Sequence, residues 1–148
     1  MDELVRSMRE VLANTFVFYF KNHAFHWNVE GTQFPTYHSF FGDLYGELFS
    51  AVDPIAEEIR ALGAYAPSNL TELYKDCTLS ESNLVGDSVK EMLASALMDN
   101  EQMVGCLNKA FAAASAVNNQ GLMNFLADRL DKHKKHSWML RSCLKGAY

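Results

Sequence analysis

The chain has 148 residues, enough for one domain with a substantial core. Hydrophobic residues make up 49% and charged residues 21%, with only 3 prolines and 8 glycines, which excludes a disordered or fibrous chain and favours a largely helical one. A net charge of −5 argues against a general nucleic-acid binder, whose first mark is a basic face or tail.

From about Asp2 to Asn28, Leu4, Met8, Val11, Leu12, Thr15, Phe16, Tyr19 and Phe20 recur at three- and four-residue steps and predict an amphipathic helix. Gly31 and Pro35 mark a turn over Glu30 to Pro35. A second helix is expected from about Pro35 to Leu62, through Phe41, Leu44, Leu48, Val52, Ile55 and Ile59, with Gly63 as its stop. Pro67 and Ser68 lead into "SNLTELYKDC", which reads as a short crossover helix. A third long helix is expected over roughly Gly86 to Val117, "NNQG" turns the chain, and a fourth spans about Leu122 to Leu144. Two helical hairpins joined by a crossover make an all-α four-helix bundle of ferritin-like topology, one domain over residues 1–148. No apolar run reaches the ~20 residues of a membrane span, and the charged N-terminus shows no signal-peptide pattern. Cys77, Cys106 and Cys143 are far apart and odd in number, as expected for free thiols in the cytoplasm.

Three of the five histidines fall in "NHAFHWNVEGTQFPTYH", on both sides of the first turn. In an antiparallel hairpin centred near residue 32, His26 and His38 lie side by side, a spacing suited to a shared metal. Asp53 and Glu57, spaced i, i+4, place two carboxylates on one helix face. Asp53 is 15 residues beyond His38, about 22 Å along the helix, so one chain cannot bring the two pairs together. Antiparallel packing of two copies of the second helix across a two-fold axis does so, giving two imidazoles and two carboxylates per site, a set suited to Fe2+. No Glu-x-x-His pair of the kind that builds a di-iron centre inside a bundle is present, so the interior is expected to be apolar. His133 and His136, flanked by Lys132, Lys134 and Lys135, are expected at the surface or at a subunit contact rather than on a metal.

"HAFHWNVEGTQFPTYHSFF", "VDPIAEEIRALG" and "HKKHSWMLRS" resemble the Dps family of small ferritin-like proteins, and the resemblance spans essentially the whole chain. It implies a hollow dodecamer that oxidises Fe2+, preferably with hydrogen peroxide rather than oxygen, stores the ferric mineral inside and limits oxidative damage. The ferroxidase ligands it implies are His26 and His38 of one subunit with Asp53 and Glu57 of its two-fold mate. Trp27 would lie against the site as a sink for stray oxidising equivalents or as an interface aromatic, and His23 would serve as a hydrogen-bonding neighbour. The alternative is a structural or DNA-associated shell with a weak or inactive iron site. Three departures from the family pattern stand out. Pro54 follows Asp53 inside the helix and is expected to kink it. Gly42 stands four residues after His38, where many relatives carry an acid. Asn124 stands where relatives usually place an Asp at the iron-entry pore, with Asp128 the nearest acid. DNA binding is expected to be weak or absent, because no Lys-rich tail precedes the first helix and the last stops at "LKGAY".

Overall fold

The computed structural model describes residues 2–81, 86 and 88–146. Five helices follow in chain order: α1 Glu3–Asn28, α2 Phe34–Ala61, α3 Leu70–Lys75, α4 Val89–Ala116 and α5 Gln120–Leu144. There is no strand among the described residues, and the four long helices form the ferritin-like bundle. Asp87, at the expected start of the third long helix, lies outside the described residues, as do the last two residues of "LKGAY".

Local chemistry sets the helix ends. The Asp2 carboxylate accepts the Val5 N–H at 2.8 Å and caps α1. Pro35 sits in the first turn of α2, where its missing N–H costs nothing. At the other end of α2, Gly63 takes φ 88°, and the Gly63 and Ala64 N–H groups bond back to Arg60 O and Ile59 O. That is a Schellman close, which needs a residue able to adopt the left-handed region. Asn118 (φ 56°) closes α4 in the same way, with Asn118 and Asn119 N–H bonded to Ser115 O and Ala114 O. Asn119 then caps α5 by accepting the Leu122 N–H at 3.1 Å. The second turn is therefore built by two asparagines. Gly121 lies inside α5, and the helix begins two residues before the expected Leu122.

Helix α1 packs on α2 and α4, and α4 packs on α5. Met8, Val11, Phe18, Phe41, Leu48, Ile55, Ile59, Leu93, Met103, Leu107, Leu122 and Leu126 are the buried apolar rows of these helices. The crossover carrying α3 is tied along α1 at three levels. Arg9 donates to Asp76, Glu72 and Tyr65 O at 3.0–3.1 Å. Asn14 and Thr78 exchange two hydrogen bonds at 2.8 and 2.9 Å, and Lys21 donates to Ser80 O at 2.7 Å.

The interior is not uniformly apolar. Lys21 and Asp99 form a buried ion pair of 2.6 Å between α1 and α4. A second polar layer joins α2, α4 and α5, and it contains both of the histidines expected at the surface. His133 is fully buried and His136 nearly so. His133 Nδ1–H donates to Asn100 Oδ1 at 2.7 Å, while its Nε2 accepts from Arg129 at 3.1 Å. Arg129 forms a two-bonded pair with Glu47 at 2.6 and 3.1 Å, and His136 Nε2 donates to the same carboxylate at 2.7 Å. The sequence signal was periodicity: Leu122, Leu126, Arg129, His133, His136 and Leu140 continue one helix stripe, so charge was a poorer guide to burial than position. A buried charged group persists where it is paired, and here Arg129 and His136 share Glu47 while Arg129 Nε and His136 Nδ1 are left without a partner.

Candidate metal centre at the end of the first hairpin

His26 lies in the last turn of α1 and His38 in the second turn of α2, and the hairpin brings them face to face. Their rings stack with centroids 3.7 Å apart and planes 18° from parallel. Each ring also bonds to the other residue's backbone: His26 Nδ1–H donates to His38 O, and His38 Nδ1–H donates to His26 O, both at 2.6 Å. A carbonyl oxygen can only accept, so both Nδ1 atoms must carry the proton. In the neutral rings the lone pair is then on Nε2, the tautomer a metal requires. The reciprocal lock fixes chemistry as well as orientation.

An aromatic shell surrounds the pair. Phe34 stacks on the outer face of His38 at 4.8 Å, and Tyr45 lies 5.2 Å from His26. Tyr45 also stacks on His23 at 3.9 Å, with planes 7° apart. The Tyr19 hydroxyl and His23 Nδ1 are hydrogen-bonded at 2.9 Å. Burial and the nearby His26 lower the His23 pKa. Trp27 is 55% exposed and packs on His23 at 4.0 Å, so it touches the site through His23.

Asp53 and Glu57 are exposed on the outer face of α2. A hydrogen bond with Asp53, together with its negative charge, raises the Glu57 pKa, as expected for two carboxylates that need a shared cation or proton. Helix α2 continues through Pro54 to Ala61 without a break, so both acids belong to one helix. Ile55 and Ile59, beyond the proline, remain fully buried on the core side. Among the described residues, no three His, Cys, Asp or Glu side chains of one chain are grouped to hold a metal ion. The chain thus carries two separate half-sets, an imidazole pair and a carboxylate pair. Asn124 and Asp128 are both exposed near the start of α5.

The sequence matches the family profile described as "Ferritin-like domain" over residues 6–147. It is 32% identical over 134 residues to a DNA protection during starvation protein of Brevibacillus brevis, covering 90% of this chain and 89% of that one. It is 30% identical over 142 residues to DNA protection during starvation protein 2 of Bacillus anthracis, covering 96% and 97%. The fold superposes on the crystal structure of Dps from Staphylococcus aureus with a TM-score of 0.89 at 30% identity, over 95% of this chain and 94% of that one.

Proposed function

This chain belongs to the Dps proteins of the ferritin-like family, and on that premise we propose that it is an iron-storage ferroxidase of the cytoplasm. Its substrate is Fe2+, oxidised by hydrogen peroxide in preference to oxygen, and its product is a ferric mineral held inside a dodecameric shell. The observation that carries this reading is the reciprocal lock of His26 and His38, which leaves two imidazole lone pairs at a half-open surface with no third donor grouped with them among the described residues of the chain.

In this proposal Asp53 and Glu57 of a two-fold-related copy complete each site. The four side chains bind Fe2+ as two neutral nitrogens and a carboxylate pair whose negative charge balances the ion. Two Fe2+ ions supply one electron each to one peroxide. With two protons taken up, its O–O bond breaks to give two water molecules and no hydroxyl radical. In this reading Trp27, which packs on His23, serves as a sink for a stray one-electron oxidant or as an interface aromatic. Three features support a DNA association that is weak at most: the net charge of −5, the acids Glu101 and Asp131 and the salt bridges that tie Lys134 and Lys135 to Asp131. No helix among the described residues is long and apolar enough to cross a membrane.

Mixing two inactive variants tests the shared site. One lacks the imidazoles (His26→Ala with His38→Ala), the other the carboxylates (Asp53→Asn with Glu57→Gln). Each alone should be nearly inactive in peroxide-driven Fe2+ oxidation. After denaturation, equal mixing and refolding, about half the dimers are mixed, and each of these has one intact site. Activity should return to roughly a quarter of the native value. No recovery, with assembly verified by light scattering, would overturn the cross-subunit site. A stable monomer of the native protein would overturn the storage function with it.

A further inference from the structure

We infer that Gly42 is the positioning residue for His26: its missing side chain is the space in which the metal-facing ring is held. This inference rests on the proposed metal-binding role of His26 and His38, and it concerns what sets their geometry.

Helix α2 contains two glycines one turn apart, Gly42 and Gly46. Neither has a positive φ, so no turn requires them, and glycine inside a helix is unfavourable relative to alanine. Their surroundings differ. A Cβ placed on Gly46 would meet nothing within 4 Å. A Cβ on Gly42 would lie 3.1 Å from His26 Nδ1 and 3.2 Å from His26 Cε1, closer than ordinary van der Waals contact.

The ring has little freedom to retreat from such a methyl group. Its Nδ1 is the atom that donates to His38 O at 2.6 Å, its face stacks on His38 at 3.7 Å, and Tyr45 lies beside it. Any shift that relieves the clash lengthens the Nδ1–H···O=C bond, loosens the tautomer and changes the aim of Nε2. Supporting bonds of this kind set the aim and basicity of a metal-bound imidazole.

The decisive comparison is Gly42→Ala against Gly46→Ala in the full chain, since both add the same methyl group to the same helix. Three measurements follow: NMR of the imidazole Nδ1–H protons without metal, binding of Co2+ alone, and thermal unfolding. Gly46→Ala should keep the slowly exchanging Nδ1–H signals of His26 and His38, keep native Co2+ affinity and unfold at or above the native temperature. Gly42→Ala should lose the His26 signal, bind Co2+ roughly 10- to 100-fold more weakly and unfold at a lower temperature than Gly46→Ala. In a His26→Ala background the ring is gone, and the two alanine substitutions should become equivalent in unfolding temperature. Native-like Nδ1–H signals in Gly42→Ala would overturn the inference, as would a thermal penalty that persists in the His26→Ala background. If the native protein binds no Co2+, the metal-site reading fails, and the NMR and thermal comparisons still decide the role of Gly42 by themselves.

Discussion

His26 and His38, at the end of the first hairpin, and His133 and His136, inside the bundle, are two histidine pairs with opposite uses of their nitrogens. In the outer pair only Nδ1 is committed to the protein, and the commitment goes to backbone carbonyls that cannot compete for a metal. In the inner pair both nitrogens of His133 are occupied, by Asn100 and Arg129, and His136 donates to Glu47. The cation that satisfies the inner cluster is the Arg129 guanidinium, already supplied by the chain. A histidine is thus available for metal chemistry when its partners orient it and leave one lone pair unsatisfied. Proximity of imidazoles alone does not make a site.

The largest expected effect breaks the inner pair. Arg129→Ala removes the cation between Glu47 and His133 and leaves a carboxylate facing a largely buried gap. Removing one partner of such a pair destabilises by about 3–5 kcal/mol, measurable as a fall in the urea midpoint. An unchanged midpoint would show that the inner layer contributes packing alone.

Acid should separate the two pairs next. Burial pushes the Glu47 carboxyl up, but the hydrogen bonds and charges of His136 and Arg129 outweigh it and hold the pKa at about 2, against an ordinary 4.5. A depressed carboxyl stabilises fully above 4.5 and loses that contribution as pH falls towards 2. At about 1.4 kcal/mol per pH unit this amounts to roughly 3 kcal/mol. Burial, with Arg129 and His136 beside it, lowers the His133 pKa well below 6.5. The unfolded chain therefore takes up that proton first, and stability should already decline as pH falls below 6.5. A urea midpoint followed from pH 7 to pH 3 should drop through both windows, and His133→Gln should flatten only the upper one.

A smaller structural effect is expected at the outer pair. His26→Ala with His38→Ala removes two hydrogen bonds at a half-open surface, where water can replace them. The loss should be about 2 kcal/mol in urea unfolding, while Co2+ binding disappears. The smallest effect sharpens the boundary of the outer site. Tyr19→Phe removes only the hydroxyl bonded to His23, should cost about 1 kcal/mol or less, and should leave Co2+ affinity at its native value, because His23 supports Trp27 and Tyr45 without facing the metal position.

The bundle was largely legible in the sequence because apolar residues repeat at helical spacing and because Asp2, Pro35 and Gly63 mark helix ends by mechanisms local to the chain. The start of α5 was obscured because Gly121 looked like the breaker, whereas Asn118 supplied the left-handed residue. The inner polar layer was hidden for a different reason. Lys21, Asp99, Arg129 and His133 are each buried against a partner between 33 and 82 residues away in sequence, and no local pattern reports a partner so distant. The pairing of His26 with His38 could be read from the hairpin register. Their mutual carbonyl bonds and the dependence of His26 on Gly42 could not, since they follow from the close approach of two backbones.

The three ties of the crossover to α1 bear on the order in which the molecule folds. Arg9, Asn14 and Lys21 reach partners 56 to 67 residues away, whereas α1 with α2 and α4 with α5 meet across short turns. Closing a long loop carries an entropy cost that contacts across a short turn avoid, so the two hairpins can form while the strap is still loose. The strap is then expected to act as a late latch, its bonds forming after the rate-limiting step and setting how quickly the finished bundle comes apart. Severing it at Arg9 should therefore quicken unfolding while leaving the folding rate almost untouched.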